Sequence, residues 1–573
     1  MKKIIFNLLI PCIAFCPLGN TLYLSTTSDP KSFNLIISNE QSSSFVLSFL
    51  FEGLTERDGI TTEIKPLLAK SWKYSKDGKR WTFYLRDDVK WSDGMPFTAD
   101  DVVFTYNELI YNNDIPTSLR DVMTIDGKKL IVKRLGTYTV QFILPKPFAP
   151  LLHQLGAAIL PRHILKRYVD NKTFSSCWGV NTKPREIVGT GPFIMSEYRP
   201  GERITYIRNP NYWKKDKNGN RLPYIERIIM LIVPDREAEL ASFKSGEIDV
   251  LSVMGKDWAM LKENEKSGNY TLYNCGPSFG TTFIAFNLSP IYQKQPKLSW
   301  FSNPLFRRAI AHLIDKEAII NNVLSGLGFP QTSAMEEASG FFYNPNVIKY
   351  EYNPRKARKI LDEIGFVDRN RDGIREDKMG NPIKFTLITN AENTQRKDIG
   401  AIISKDLRSV GLDVTFSPID FNKLVEMLTS AHNWDAVLIG LTGGVEPHSG
   451  KNVWESKGEL HLFNPEPTIK KNKAVWEKSL SPWEKEIDVI FNKGCQELDN
   501  KKRKALYDRW QYIVSKELPL IYTVNPASLF AVRNRLLNIH PTAYGGVLHN
   551  LEEIRLEEEK PTPPKKQKKR RWR

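Results

Sequence analysis

The residues that could do covalent chemistry in this chain are few. Gly276-Pro-Ser278-Phe-Gly280 fits G-x-S-x-G, the pattern in which a serine nucleophile sits on a sharp strand-to-helix turn. The run after it, Thr281-Thr-Phe-Ile-Ala-Phe-Asn-Leu288, alternates as a strand does, so the expected context is strand–turn–strand. A Gly/Pro/Ser connection between domains is the better reading; a secreted serine hydrolase using Ser278 is a distant alternative. Asp87/Asp88 and Asp100/Asp101 are carboxylate pairs, but each falls where a turn or helix start uses acids. His153, His163 and His312 lie in apolar helical surroundings and read as packing or surface residues. No P-loop, HExxH or dinucleotide-binding glycine pattern occurs.

One segment could hold an ion. Asp368, Asn370 and Asp372 place oxygen donors at positions 1, 3 and 5 of a calcium-type loop. Gly373 follows at 6, the Ile374 carbonyl at 7 and Glu376 at 9. Position 12 is Met379 where a bidentate glutamate belongs, so the expectation is a partial, structural calcium site, with an Asx-type turn as the alternative. No cofactor is expected.

The elements that must carry these residues are those of a large folded chain. Its 573 residues exceed what one core serves, and 41% hydrophobic with 11% aromatic residues excludes a disordered composition. The formal net charge of +17 is concentrated at the ends: eight Lys/Arg and no acid in 560–573, with Lys2 and Lys3 at the start. The remaining body is mildly basic, which argues against nucleic acid as a partner. The tail reads as disordered, with anionic lipid or cell wall as the alternative reading. Lys2 and Lys3 followed by the apolar stretch 4–16 read as an export signal over residues 1–20, too short to span a bilayer. Cys16 could carry a lipid anchor, but Phe15 stands where a small residue is usual. Export leaves Cys177, Cys275 and Cys495; one disulfide and one free thiol are compatible with that, and no pair is selected.

Periodicity supplies the scaffold. Trp81, Phe83 and Leu85 share one face of a strand, with Arg80, Thr82 and Tyr84 on the other. Thr98 caps a helix opening with Asp100 and Asp101. From 281 onward strands (281–288, 383–389, 414–418, 434–439) alternate with helices, which predicts a largely parallel sheet. A single helix is expected over 484–516 and a strand over 520–524.

Several segments together resemble a known family. They are Pro66-Leu-Leu-Ala-Lys-Ser-Trp72, Asp77-Gly-Lys-Arg-Trp-Thr-Phe-Tyr-Leu-Arg86, Val89-Lys-Trp-Ser-Asp-Gly94 and Phe97-Thr-Ala-Asp-Asp-Val-Val-Phe104. Downstream come Gly189-Thr-Gly-Pro-Phe193, Arg208-Asn-Pro-Asn-Tyr-Trp213, Phe243-Lys-Ser-Gly-Glu-Ile-Asp-Val250, Phe306-Arg-Arg-Ala-Ile310 and Leu518-Pro-Leu-Ile-Tyr522. In this order they resemble the extracellular solute-binding proteins of family 5, the oligopeptide and dipeptide binders of ABC importers.

The resemblance implies an α/β, two-lobed periplasmic-binding-protein fold (class II-like, cluster C) with an extra α+β domain. It assigns 21–49, 186–275 and 515–555 to domain I, 50–185 to domain II, 276–514 to domain III and 556–573 to the tail. Hinges are expected near 276–282 and 517–523. It implies a monomer in the periplasm, or on the outer face of the cytoplasmic membrane, that encloses a peptide and delivers it to ABC permease subunits. Nickel, haem or an oligosaccharide are alternative solutes. The family's amine-binding acid follows the strand corresponding to 434–439, where this chain has Gly443 and Gly444. Glu446 is the nearest replacement acid and Trp454 a candidate aromatic wall. Ser28, Phe279, Asn287, Thr442 and His448 complete the expected ligand-binding set.

Overall fold

The structure, a computed structural model, describes residues 20–38 and 41–557. The expected export signal up to residue 19, including Cys12 and Cys16, and the expected tail from 558 onward lie outside the described residues; Leu556, read as the start of the tail, instead pairs with Leu536 in a short two-stranded sheet.

The first lobe is built on short sheets. Thr21–Thr26 pairs in parallel with Arg227–Ile232, which continues antiparallel to Arg203–Arg208 and then Phe193–Arg199. Ile204, Tyr206, Ile228 and Met230 alternate into the core as period-2 patterning requires. A second sheet joins Val250–Ser252, Val524–Arg533 and Tyr270–Pro277. A third orders Ala69–Tyr74, Arg80–Leu85, Thr139–Ile143 and Ile131–Gly136, with Trp81, Phe83 and Leu85 buried. The helix Ala99–Phe104 opens with the expected cap: Thr98 and Asp101 satisfy each other's backbone N–H groups. It then widens into a π-turn, Thr105–Ile110, where the Thr105 hydroxyl bonds back to the Asp101 carbonyl at 2.8 Å. One hydrophobic core runs from Leu22 through Leu165 to Ile554, continuous across the segments read as domains I and II.

The second lobe is a five-stranded sheet in the order Asp413–Ile419, Lys384–Asn390, Ala436–Leu441, Thr281–Phe286, Leu520–Tyr522. The largely parallel expectation holds for its first three strands, while Thr281–Phe286 runs against both neighbours. That strand brings the chain in from the hinge and Leu520–Tyr522 takes it back, so the two must point opposite ways. Apolar side chains fill both faces, which gives the lobe two cores. One lies under the helices Pro304–Ala311 and Thr394–Ser409. The other lies under Pro482–Gln496 and Asn500–Glu517.

Three expectations are corrected. The helix read over 484–516 is two helices, because the Asp499 side chain accepts the Lys501 and Lys502 N–H groups and starts a new one. The return segment read as 515–555 begins later. Leu520–Tyr522 is still a strand of the second lobe, paired with Thr281–Phe286, and Leu520 and Ile521 bury into its two cores. The second crossing therefore lies at 523–526, where Thr523 N–H donates to Thr282 O (2.8 Å) and Pro526 O accepts from Ser278 N–H (3.0 Å). Cys177, Cys275 and Cys495 are all free thiols, so the structure has no disulfide among them.

Candidate ligand cleft between the lobes

The two lobes meet at the paired crossings and again at their far ends. There Phe148 of the first lobe packs edge-on to His448 of the second (5.4 Å between rings), and Ala149 N–H donates to Cys495 O at 2.7 Å. The lobes thus touch both at the crossings and at this second place. Ser278 lies on the extended crossing, flanked by the strands Tyr270–Pro277 and Thr281–Phe286, not on a strand-to-helix elbow. Gly280, two residues on, has φ +124°, a conformation that favours glycine.

Ala436–Leu441 ends opposite Thr281, so its carboxyl end empties into the cleft beside the hinge. In open α/β sheets that end is where ligands bind. Past Leu441 the chain leaves the ladder and Thr442, Gly443 and Gly444 line a cavity of about 250 Å³. Phe283, Trp454, Trp510 and Tyr522 give it aromatic walls, and Glu336 and Glu446 contribute carboxylates. Trp454 is held edge-on to Trp510 at 5.3 Å.

The two carboxylates differ in kind. Glu446 is 6% exposed, and both its oxygens receive the Arg503 guanidinium, one of them at 2.9 Å; it also caps His448 N–H at 3.0 Å. Burial works against its charge, but Arg503 overcomes this and holds the carboxyl below its usual range. Glu336 is 3% exposed, accepts Gly280 N–H at 3.0 Å and the Ser339 hydroxyl at 3.2 Å, and is pushed up by burial.

The other expected site residues separate. Phe279 lies at the crossing with its ring 5.6 Å from Tyr544 of the first lobe. His448 lines the lobe contact, and burial depresses its imidazole to about 4 despite Glu446 nearby. Asn287 is 1% exposed and spends its amide N–H groups on the His432 and Trp434 carbonyls (3.0 and 3.1 Å), so it fixes the sheet edge and does not face the cavity. Ser28 is exposed after the first strand and is not among the cavity's walls. Sequence reasoning missed Glu336, Phe283, Tyr522 and Arg503. Glu336 sits in an irregular stretch with no periodicity to mark it.

Far from the cleft, Asp368, Asp372 and Glu376 do come together, with ligand atoms within 4.8 Å of one another. The buried Asp368 Oδ1 has no hydrogen-bond partner among the described residues. Asn370 accepts Asp372 N–H, and Asp372 accepts Ile374 N–H, each at 2.8 Å, which folds the loop as successive Asx turns.

Comparison with known proteins shows the family. Residues 63–457 match the family model described as "Bacterial extracellular solute-binding proteins, family 5 Middle". A probable ABC transporter-binding protein of Deinococcus radiodurans is 32% identical over 542 residues, covering 90% of this chain and 89% of the relative. The oligopeptide-binding protein AppA of Bacillus subtilis is 26% identical over 528 residues, covering 90% and 88%. AppA's structure in complex with a nonapeptide superposes with a TM-score of 0.69 at 25% identity, over 94% of this chain and 99% of that one. NikZ of Campylobacter jejuni, in complex with Ni(L-His), shares the fold with a TM-score of 0.72 at 22% identity, covering 94% and 100%. A chain with two lobes on paired crossings and this breadth of match belongs to the bacterial extracellular solute-binding proteins of family 5.

Proposed function

We propose that this protein captures a peptide in the cleft between the lobes, against the second-lobe wall formed by Thr442–Gly444, and presents it to the permease subunits of an ABC importer. The observation that carries the reading is the Thr442–Gly444 segment. It continues a strand out of its ladder along a cavity wall, where its backbone can pair with an extended ligand as an added strand would. The aromatic walls supply apolar contact without a shape specific to one side chain. The cavity presents carboxylates and aromatic rings rather than a cluster of His and Cys ligands, which favours a peptide over a bare metal ion. The peptide-binding relatives, AppA among them, support the same choice. Closure of the lobes about the two crossings would enclose the ligand. Isothermal titration with a library of three- to nine-residue peptides tests this. Saturable binding is expected, with a fall in radius of gyration by small-angle scattering. Binding of an oligosaccharide, haem or nickel chelate in place of every peptide would overturn it.

We also propose that the 368–376 loop holds a structural calcium ion through Asp368, Asp372 and Glu376, with Asn370 and the Ile374 carbonyl completing the loop. The unpartnered Asp368 oxygen and the all-oxygen donor set support this.

A further inference from the structure

The first lobe's core continues without a break into the extra domain, residues 50–185, so that domain and the lobe move as one body. Two loops of the extra domain nevertheless reach the second lobe. One is Pro147-Phe148-Ala149-Pro150, whose prolines restrict the backbone on either side of Phe148. The Phe148 ring is 4% exposed and lies edge-on to His448 at 5.4 Å, and Ala149 N–H donates to Cys495 O at 2.7 Å. The other is the turn at Gly78, which has φ +67°. A Cβ there would lie 2.8 Å from Leu498 Cδ1 and 3.2 Å from Pro147 Cβ, so glycine leaves the hollow in which Leu498 sits beside Pro147. Leu498 belongs to the link between the two C-terminal helices of the second lobe, yet Leu498 and Cys495 pack against the first lobe's core.

Charge does not make this contact. The charged groups around it pair within their own lobes: Asp77 with Arg80, Lys146 with Asp126, Lys451 with Glu455. Apolar burial and one backbone hydrogen bond hold it. The bonds from Thr523 N–H to Thr282 O and from Ser278 N–H to Pro526 O lie on the crossings themselves and can persist through a hinge rotation. A contact made away from the crossings must come apart when the lobes rotate open.

We propose that the extra domain is a clasp: Pro147–Ala149 and the turn at Gly78 grip Cys495 and Leu498 of the second lobe, hold the lobes together and slow the escape of ligand. Slowed escape rests on the reading of the cleft as the binding site; the grip itself does not.

The test uses the full chain with Leu498→Ala, Gly78→Asn and the two together. Asparagine tolerates the positive φ at position 78, so its Cβ blocks the hollow while the turn is kept. Neither residue borders the cavity beside Thr442–Gly444. Three quantities are read. They are hydrogen exchange of the segment 147–150, radius of gyration by small-angle scattering without added ligand, and release of the pentapeptide Ala-Leu-Ala-Leu-Ala followed by stopped-flow tryptophan fluorescence. Pro147 and Pro150 carry no N–H, so exchange in that segment reports Phe148 and Ala149 alone. Each single variant is expected to speed exchange at Ala149 and release of the pentapeptide by about tenfold, as for loss of part of a buried leucine side chain, and to enlarge the radius of gyration. In the L498A background Gly78→Asn is expected to add less than about twofold, because the group it displaces is gone. Unchanged exchange or an unchanged radius in both single variants overturns the clasp. Faster exchange with unaltered release overturns its hold on the ligand. Effects that multiply in the double variant overturn the shared contact. A parent protein that does not bind the pentapeptide counts against the peptide reading alone; exchange and radius then decide the clasp, which a larger radius supports and an unchanged one overturns.

Discussion

Glu446 and Arg503, 57 positions apart, form a two-pronged ion pair in the interior of the second lobe, with side chains 5% and 4% exposed. Arg503 also donates to the Gly494 carbonyl at 2.8 Å, so the pair ties the loop after Ala436–Leu441 to both C-terminal helices of the lobe. An acid already matched in this way has little capacity left for a ligand's amine. Glu446→Ala is therefore expected to cost about 3–5 kcal/mol of stability, because it strands a buried guanidinium. Replacing both partners (Glu446→Leu with Arg503→Met) is expected to recover most of that. Denaturant melts check both, and ligand affinity of folded E446A within a factor of about three of the parent would support a structural role.

His448 sets an acid limit on stability. Its imidazole titrates near 4 in the folded chain against an ordinary value of 6.5. A folded-state value below the unfolded one means the unfolded chain takes up a proton that the native chain refuses. The contribution is thus complete above pH 6.5 and is lost as pH falls toward 4, at about 1.4 kcal/mol per pH unit. His448→Asn is expected to flatten the melting temperature across pH 6.5 to 4. An unchanged slope in the variant would contradict this.

Calcium should stabilise the second lobe. At a hundredfold excess over the dissociation constant a bound ion adds about 2.7 kcal/mol, which calorimetry resolves as a raised melting temperature. Asp372→Ala should abolish the rise. No shift at millimolar calcium in the parent protein would leave the loop as a set of Asx turns.

Gly443→Ala probes the cavity without touching a charge. The added methyl must push the Glu336 carboxylate aside. A tenfold or greater loss of peptide affinity is expected by titration, with a change in melting temperature smaller than that of E446A. Retained affinity would show that the position of Glu336 does not matter to the ligand.

Much of this architecture was legible in the sequence. The alternation of Trp81, Phe83 and Leu85, the Thr98 cap and the strand reading after Ser278 all follow from local patterning, because backbone hydrogen bonding and burial periodicity are properties of adjacent residues. The ordered motifs from Pro66 to Tyr522 also carried the family, and with it the two lobes. The glycine pair at 443–444 was legible as a departure from the residues that the resemblance implies at that place.

Which acids border the cavity beside Gly443 and Gly444, and which of them is paired, was decided by tertiary structure. Glu446 is the nearest acid along the chain, yet packing delivers Arg503 to it. Glu336, remote in sequence and unmarked by any pattern, is brought against Gly443 and the hinge amide of Gly280. The strand at Leu520–Tyr522 was readable, but its membership in the second lobe came from pairing with Thr281–Phe286. Local sequence determines which groups are buried and how the backbone runs. Which buried charge meets a partner depends on segments far apart in the chain, and only the packed fold supplies that.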